Sequence, residues 1–344
     1  MVRAVKGLMS GPTQRPTLSA VASRAAVSVS TASKVLNGKA DVSEETRRRV
    51  ERALTSLGYS RRGDPRPHGE LIEVVFERLG PWAVELLKGV ESVAQREGIS
   101  TVVTIGGTFD AQPETWIDAV MRRQPIGVIL VFSTLSDKEK RQLRTRNIPF
   151  VIVDPAGDPA PDMPTIGSAN WDGGGEAVRH LLGLGHRRIG TICGPPQLRN
   201  ARARLAGYKS ALEAAGITPD PELIVEGDFS TDAGFRGAST LLDLQNPPTA
   251  IFAQSDLEAL GAYRAIQGRG LRIPADISVI GYDDLPMAEL AYPTLTTIRQ
   301  PLLEIASTAT RLILRLRNTE PPLNVRTELA TTLVARESTA PPRS

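Results

Sequence analysis

The stretch TLSAVASRAAVSVSTASKVLNGKADVSEETRRRVERALTSLGY, residues 17–59, decides how the rest of the chain is read. Thr17 can cap a helix over 18–25 in which Leu18, Val21, Ala22 and Ala25 share one face. A tight turn, Ala26-Val27-Ser28, follows. Ser28 then caps a second helix from Val29 to about Asn37, with Ala32, Val35 and Leu36 facing inward. Asn37-Gly38 tolerates the left-handed backbone that ends a helix. Ser43 caps a third helix through Leu57, with Glu44 and Glu45 at its positive end and Val50, Ala53, Leu54 and Leu57 on its inner face. Two short helices joined by a tight turn and braced by a third form a helix-turn-helix. In that motif the N-terminal half of the second helix meets base edges in the major groove. The outward positions there, Val29, Ser30, Thr31, Ser33 and Lys34, are small, hydroxylated or basic. Valine can touch a thymine methyl, serine several base edges, and lysine guanine O6 and N7. The competing reading is an amphipathic three-helix domain with a plain polar outer face.

Charge agrees with the first reading. Residues 1–62 hold 12 Lys/Arg against 4 Asp/Glu, while the remaining residues hold 29 against 34. A basic head on a mildly acidic body is the footprint of a polyanion-binding surface, although a solvated charged face would look the same. Residues 1–16 show no periodicity and are read as a disordered arm. Residues 61–69, RRGDPRPHG, carry two prolines, two glycines and three arginines with nothing apolar to bury, which reads as a linker.

From residue 70 onward, short Val/Ile/Leu runs alternate with amphipathic segments, as in βαβ units. Strands are expected at 71–76, 100–105, 127–132 and 150–154, then at 165–167, 188–193, 223–226, 249–253 and 277–282. Helical patterns lie between them, at 82–97, 174–184, 202–215, 231–242 and 257–267. The runs are continuous rather than alternating, so both faces of each sheet are covered. Two sets of strands predict two similar lobes.

The single cysteine, Cys193, cannot form an internal bridge and reads as a small core residue. Together with the lack of a membrane-length apolar run or a secretion signal, it predicts a cytoplasmic protein. There is no G-x-S-x-G, no metal-spaced His/Cys cluster and no P-loop, so no enzyme, cofactor or metal site is expected. Asp172-Gly173-Gly174-Gly175 lacks dinucleotide spacing and reads as a helix entry.

Residues 17–59 resemble the DNA-binding domain of the LacI/GalR family of transcription regulators, whose V-S-x-x-T-V-S-R-V-L-N-G and V-S-x-x-T-R-x-x-V patterns they match nearly throughout. The resemblance implies base-reading positions at Val29, Ser30 and Lys34. It implies phosphate or positioning roles for Thr17, Ser28, Thr31, Ser33, Asn37, Ser43 and Thr46. Three departures stand out. Ala26 occupies the usual glycine of the turn, where a left-handed backbone costs an alanine roughly 1 kcal/mol. Lys34 replaces an arginine and supplies a point donor instead of a rigid fork. The linker is short, proline-rich and without the leucine-bearing hinge helix of the family. Arg61 and Arg62, with Arg66, can serve as a basic arm on phosphates or in a narrow minor groove, or the segment is a plain flexible tether.

The body resembles the same family's two-lobed, periplasmic-binding-protein-like sensor through HLLGLGHRRIGTICGP (180–195), RARLAGYKSALEAAGI (202–217), the segment 249–284 and LTTIRQP (295–301). The expected fold is a small all-α helix-turn-helix domain over 17–60 and a two-lobed α/β domain with parallel sheets over 70–338. The first lobe is expected at about 70–163 and 299–326, the second at about 164–293 and 327–338, and a tail at 339–344. Segments 295–298 and 329–334 are strands that cross back between lobes.

In open α/β sheets ligands lie beyond the carboxyl ends of the strands. Asp154, Asp256 and Asp283 each follow a strand, Arg204 opens a helix beyond TICGP, and Trp82 and Trp171 fall in such loops. Carboxylates, an arginine and flat aromatic faces suit a sugar ring. The resemblance independently implies effector contact at Asp154, Arg204, Ser255 and Asp283, with Trp82 and Trp171 nearby. Asp256 can instead only cap its helix. The expected function is a sequence-specific regulator, a repressor by family default, that binds double-stranded operator DNA as a homodimer and is switched by a small molecule such as a sugar. The alternative is a solute-binding or sugar-processing protein with a vestigial head.

Overall fold

The computed structural model describes residues 17–37, 39, 42–57, 70–106, 115–131, 135–318 and 325–343. The expected arm, the linker, Arg61, Arg62 and Arg66 lie outside the described residues. The chain divides into two compact units: Met1–His68 with Ile117–Gln124 and Leu135–Pro149, and the remainder.

In the first unit three head helices form as their caps dictate. The Thr17 hydroxyl accepts the Ala20 N–H at 3.2 Å and starts α1, Leu18–Arg24. Ser28 accepts the Thr31 N–H at 3.1 Å and starts α2, Val29–Leu36. Ser43 accepts the Thr46 N–H at 3.4 Å ahead of α3, Glu44–Leu57. Val21, Ala22, Ala25, Ala32, Val35, Leu36, Val50, Ala53 and Leu54 close a core at their junction. Two arginines of α3 fasten the connections. Buried Arg47 donates to the Lys39 carbonyl at 2.7 Å, and Arg49 donates to the Ala26 carbonyl at 3.2 Å.

Ala26 takes φ +51°. The turn therefore keeps the left-handed geometry that a glycine adopts freely, and the Cβ strain remains in the folded head. Ala26→Gly is expected to stabilise the head by about 1 kcal/mol. Calorimetric melting of the full chain checks this, and an unchanged or lowered head transition contradicts it.

The second unit is two sheets covered by helices. The first sheet contains β1 (Leu71–Phe76), β2 (Ser100–Ile105), β3 (Gly127–Val131), β4 (Phe150–Val153), β5 (Thr165–Ser168) and β11 (Arg326–Leu329) in the order β11-β5-β4-β3-β1-β2, all parallel. The second contains β6 (Ile189–Cys193), β7 (Ile224–Glu226), β8 (Ala250–Ala253), β9 (Ser278–Asp283), β10 (Thr296–Arg299) and β12 (Thr332–Val334) in the order β12-β10-β9-β8-β6-β7. Among the described residues only β12 runs antiparallel, against β10. Helices α4 (Pro81–Ala94) and α12 (Leu302–Arg317) cover the first sheet through Leu86, Val90, Ile305 and Ile313. The remaining chain supplies α5 (Trp116–Arg123) and α6 (Asp137–Thr145), grouped with the head unit, and α7 (Asn170–Gly183), α8 (Arg199–Ala214), α9 (Thr231–Leu242), α10 (Asp256–Gln267) and α11 (Met287–Leu290) on the second lobe.

Two readings need correction. The sequence reading gave residues from 164, and from 327, to the second lobe. Thr165–Ser168 instead pairs with β4 and β11, and Arg326–Leu329 is the edge strand beside it. Strands of four residues carry no pattern of their own, so pairing alone decides their lobe. The chain consequently crosses between lobes after Ser168, after Arg299 and after Leu329. Secondly, Gly173–Gly175 are not an entry to α7 but lie inside it. A side chain at Gly174 would run into the backbone of Arg204, and one at Gly207 into that of Trp171, so these glycines let α7 and α8 pack backbone to backbone. Among the described residues no helix is long and apolar enough to cross a membrane.

Candidate nucleic-acid interface and ligand cavity

The α2 face that the sequence reading selected is outward. Val29 is 48% exposed, Ser30, Lys34 and Asn37 are exposed, and Thr31 and Ser33 half so. Its hydroxyls are tied to one another: Ser28 Oγ lies 2.8 Å from Ser30 Oγ and from Thr31 Oγ1, and Asn37 Nδ2 donates to Ser33 Oγ at 3.3 Å. Ser43 donates to Thr46 Oγ1 at 2.9 Å. An apolar tip, a row of hydroxyls and a lysine therefore share one helix edge, with the dipole-positive end of α2 behind them. Arg47 and Arg49, which sequence reasoning did not single out, hold the turns that orient this edge.

The second unit contains a cavity of about 370 Å³. Phe76, Leu79 and Trp82 line it from β1, the loop after it and the start of α4, and Arg204, Phe229, Ser255 and Asp283 from the second lobe. A smaller space of about 190 Å³ adjoins it through the shared Asn200 and is lined by Asp154, Ser168, Asn170, Trp171, Arg199, Arg326 and Glu328. The larger opens where β1 and β9 end, the position at which backbone and helix termini converge on a ligand, and the smaller runs along β5 and β11 beside Asp154 at the end of β4. Of the predicted residues, Trp82, Arg204, Ser255 and Asp283 meet in the larger space, and Asp154 and Trp171 in the smaller.

Arg204 is the centre. It is 2% exposed, and its donors reach the Asn170 side chain at 2.8 Å and the Gln254 carbonyl at 2.5 Å. Its guanidinium lies 3.7 Å from the centroid of the Tyr282 ring and 3.8 Å from the Asp283 carboxylate. Gln300 donates to Asp283 at 2.6 Å and accepts from Ser168 at 2.6 Å, joining a strand of each sheet through one amide. Asp154, Phe229 and Asp283 all have positive φ (+45°, +63° and +116°). None is glycine, and strain of this kind collects at sites where side-chain direction matters more than backbone comfort.

Burial shifts both acids. Burial pushes the Asp154 carboxyl up to about 6 from 3.8, with Arg204 pulling the other way. Its Oδ2 has no hydrogen-bond partner among the described residues. Burial raises Asp283 as well, against Arg204 and the Gln300 bond. Such groups accept ligand hydroxyls that replace lost water. The pH consequence has a definite sign. A carboxyl that titrates higher in the folded than in the unfolded chain adds stability at low pH and loses it as the pH rises through its folded value. Unliganded wild type is thus expected to lose stability from Asp154 between about pH 4 and pH 6, on the order of 3 kcal/mol at most. In Asp154→Asn, which keeps the shape and tolerates positive φ, that part of the slope should disappear. Identical pH profiles of Tm in the two proteins would rule this out.

Three sequence readings change. Asp256 belongs to neither space: its oxygens take the Leu285 N–H at 2.7 Å and the Thr297 hydroxyl at 2.6 Å, so it ties β10 and the loop after β9 to α10. Nor does it cap that helix, since the Ser255 hydroxyl accepts the Glu258 N–H at 3.1 Å. Trp82 and Trp171 stand in the first turns of α4 and α7 rather than in loops. Asn170, Asn200, Phe229 and Gln300 were not anticipated. For Phe229 a signal existed, because GDFS directly follows a strand; the others sit in or beside helices whose convergence leaves no local mark. Buried Cys193, its thiol pushed up to about 12 by burial, is a core residue.

Residues 17–62 match the family described as bacterial regulatory proteins, lacI family, and residues 178–339 match a periplasmic binding protein-like domain. The HTH-type transcriptional repressor CytR of Escherichia coli (strain K12) is 35% identical over 307 residues, covering 87% of this chain and 89% of that protein. The HTH-type transcriptional regulator CelR of Thermobifida fusca is 34% identical over 336 residues, covering 94% and 98%. Among solved structures, a transcriptional regulator CelR–cellobiose complex superposes with TM-score 0.72 at 34% identity, covering 94% of this chain and all of that one. The lac repressor dimer bound to operator and the anti-inducer ONPF does so with TM-score 0.69 at 31% identity, covering 95% and 100%.

Proposed function

The chain belongs to the lacI family of bacterial regulatory proteins, and we propose that it is a repressor whose head reads an operator under the control of a sugar held in its second unit. It is a DNA-binding transcription regulator and not an enzyme. Val29, Ser30 and Lys34 read base edges, while Thr17, Ser28, Thr31, Ser33, Asn37, Ser43 and Thr46 position the helix on phosphates. Arg61 and Arg62 add a basic arm. Two heads on a homodimer engage half-sites about one helical turn apart.

The observation that carries the effector half is Arg204 buried beside Asp283, with Asp154, Trp82 and Ser255 facing the same connected spaces. Carboxylates accept sugar hydroxyls, the guanidinium donates, and the aromatic faces stack on the C–H side of the ring. A ligand acts only through unequal affinity for two arrangements of the lobes. Three chain crossings near Ser168, Arg299 and Leu329 are where such a change is absorbed. The lac repressor and CelR–cellobiose structures support the operator and sugar readings respectively.

The test is a titration of the purified chain onto the DNA upstream of its own gene, with scrambled competitor, alone and with a panel of mono- and disaccharides. A specific complex that one sugar dissolves or strengthens is the expected result. No specific complex under any condition would favour a solute-binding protein with a vestigial head.

A further inference from the structure

Residues Gly227–Ser230, between β7 and α9, carry one aromatic wall of the larger cavity in a conformation that local sequence does not favour. Phe229 has φ +63°, a region that bulky side chains avoid. Glycine makes the room: a side chain at Gly194 would run into the Phe229 ring, and one at Gly227 into Glu258. What holds the turn is a carboxyl group. Glu258, in the first turn of α10, is wholly buried, and its Oε1 accepts the Phe229 N–H at 2.9 Å. Its Oε2 accepts the Ser255 hydroxyl at 3.4 Å. Asp228 closes the turn by accepting the Ser230 N–H at 2.9 Å, and Arg78, from the other lobe, donates to the Asp228 carbonyl at 3.0 Å. The Phe229 ring so placed lies 5.5 Å from the Arg204 guanidinium. Glu258 does not line the cavity; it stands behind the wall.

We propose that Glu258 is a positioning residue of the effector cavity, whose hold on the Phe229 amide turns that ring toward Arg204 and so sets the affinity for ring-shaped sugars. The inference rests on this cavity being the effector site. A buried carboxyl is costly to keep, and burial holds Glu258 well above the ordinary carboxylate range. The strained aromatic that it secures is the return on that cost. An amide can accept the same N–H, so Glu258→Gln keeps the wall, whereas Glu258→Leu fills the space and releases it.

Hydrogen exchange of the 224–231 segment tests the hold, and calorimetry with cellobiose as probe tests its consequence. Exchange at Phe229 should quicken roughly tenfold or more in Glu258→Leu and stay near wild type in Glu258→Gln. Cellobiose affinity should fall about tenfold in Glu258→Leu and in Phe229→Ala, with no further loss in the double variant, because one acts through the other. Unaltered exchange in Glu258→Leu overturns the proposal, and so do losses that add in the double variant. If cellobiose does not bind wild type, the cavity reading is what fails for this probe, while exchange still decides whether Glu258 secures the loop.

Discussion

Replacing Arg204 by alanine is expected to weaken effector binding by more than about a hundredfold and to lower the melting temperature of the second unit by about 10 °C. Both effects have one origin. Arg204 is almost fully buried and donates to Asn170 and to the Gln254 carbonyl while lying near Asp283. Removing one member of a buried charged pair leaves the other uncompensated, at about 3–5 kcal/mol. The vacated space above the Tyr282 ring adds a cavity where the guanidinium had packed at 3.7 Å. Because a large fall in stability can mask a loss of binding, Arg204→Lys is the companion variant. It keeps the charge but not the fork that reaches two acceptors at once. Calorimetric titration at low temperature on both variants checks the claim. Near-native affinity in the alanine variant would remove Arg204 from the site.

The second large effect concerns the head. Lys34→Glu should abolish specific operator binding, and Lys34→Ala should weaken it by about 1–3 kcal/mol with a shallower salt dependence. Lys34 is exposed on the outer edge of α2, one turn beyond Ser30, while the inner edge of the same helix buries Ala32, Val35 and Leu36. Substitution there leaves the three-helix core intact, so far-UV circular dichroism should show the same helix content. The glutamate does more harm than the alanine because it presents a like charge to the phosphates as well as losing a donor. Fluorescence anisotropy on the upstream DNA, at two salt concentrations, gives the answer. Equal affinities for wild type and Lys34→Glu would show that α2 faces away from the duplex.

The head was legible because its information is local. Thr17, Ser28 and Ser43 each announce a helix within four residues, and the apolar spacing that follows says which side turns inward. Most strands were legible for a similar reason, being unbroken β-branched runs. Legibility stopped where partners far apart in sequence decide the outcome. Thr165–Ser168 joined the first sheet because β4 and β11 flank it, a fact contained in none of its four residues. Gly173–Gly175 resemble a helix entry, yet they lie inside α7, where Gly174 admits the backbone of α8 at Arg204 and Gly173 the Tyr282 ring. Around the two cavities, lining residues that follow strands are legible because topology predicts them, and Phe229, which also follows one, is the exception. Asn170 and Gln300 leave no mark, because polar side chains near helix starts are ordinary until another element brings an arginine or an acid to them, and Asn200 none because its one side-chain hydrogen bond among the described residues is local. Asp256 failed in the opposite direction. It is an acid in the expected place whose oxygens the fold had already claimed.

The threading of the last crossing has a consequence for how the molecule is made. The first sheet begins at Leu71 but lacks its edge strand until Arg326–Leu329 arrives, and its core lacks Ile305 and Ile313 until α12 has been added. On the ribosome, therefore, more than two hundred residues must emerge before the earlier lobe can be completed, and in the interval β5 has an open side and α4 an uncovered one. A nascent chain of this design depends on its own tail to mature. A stop codon that removed the final two dozen residues would strip a strand from each sheet at once, leaving two half-finished lobes where a short C-terminal loss is ordinarily harmless.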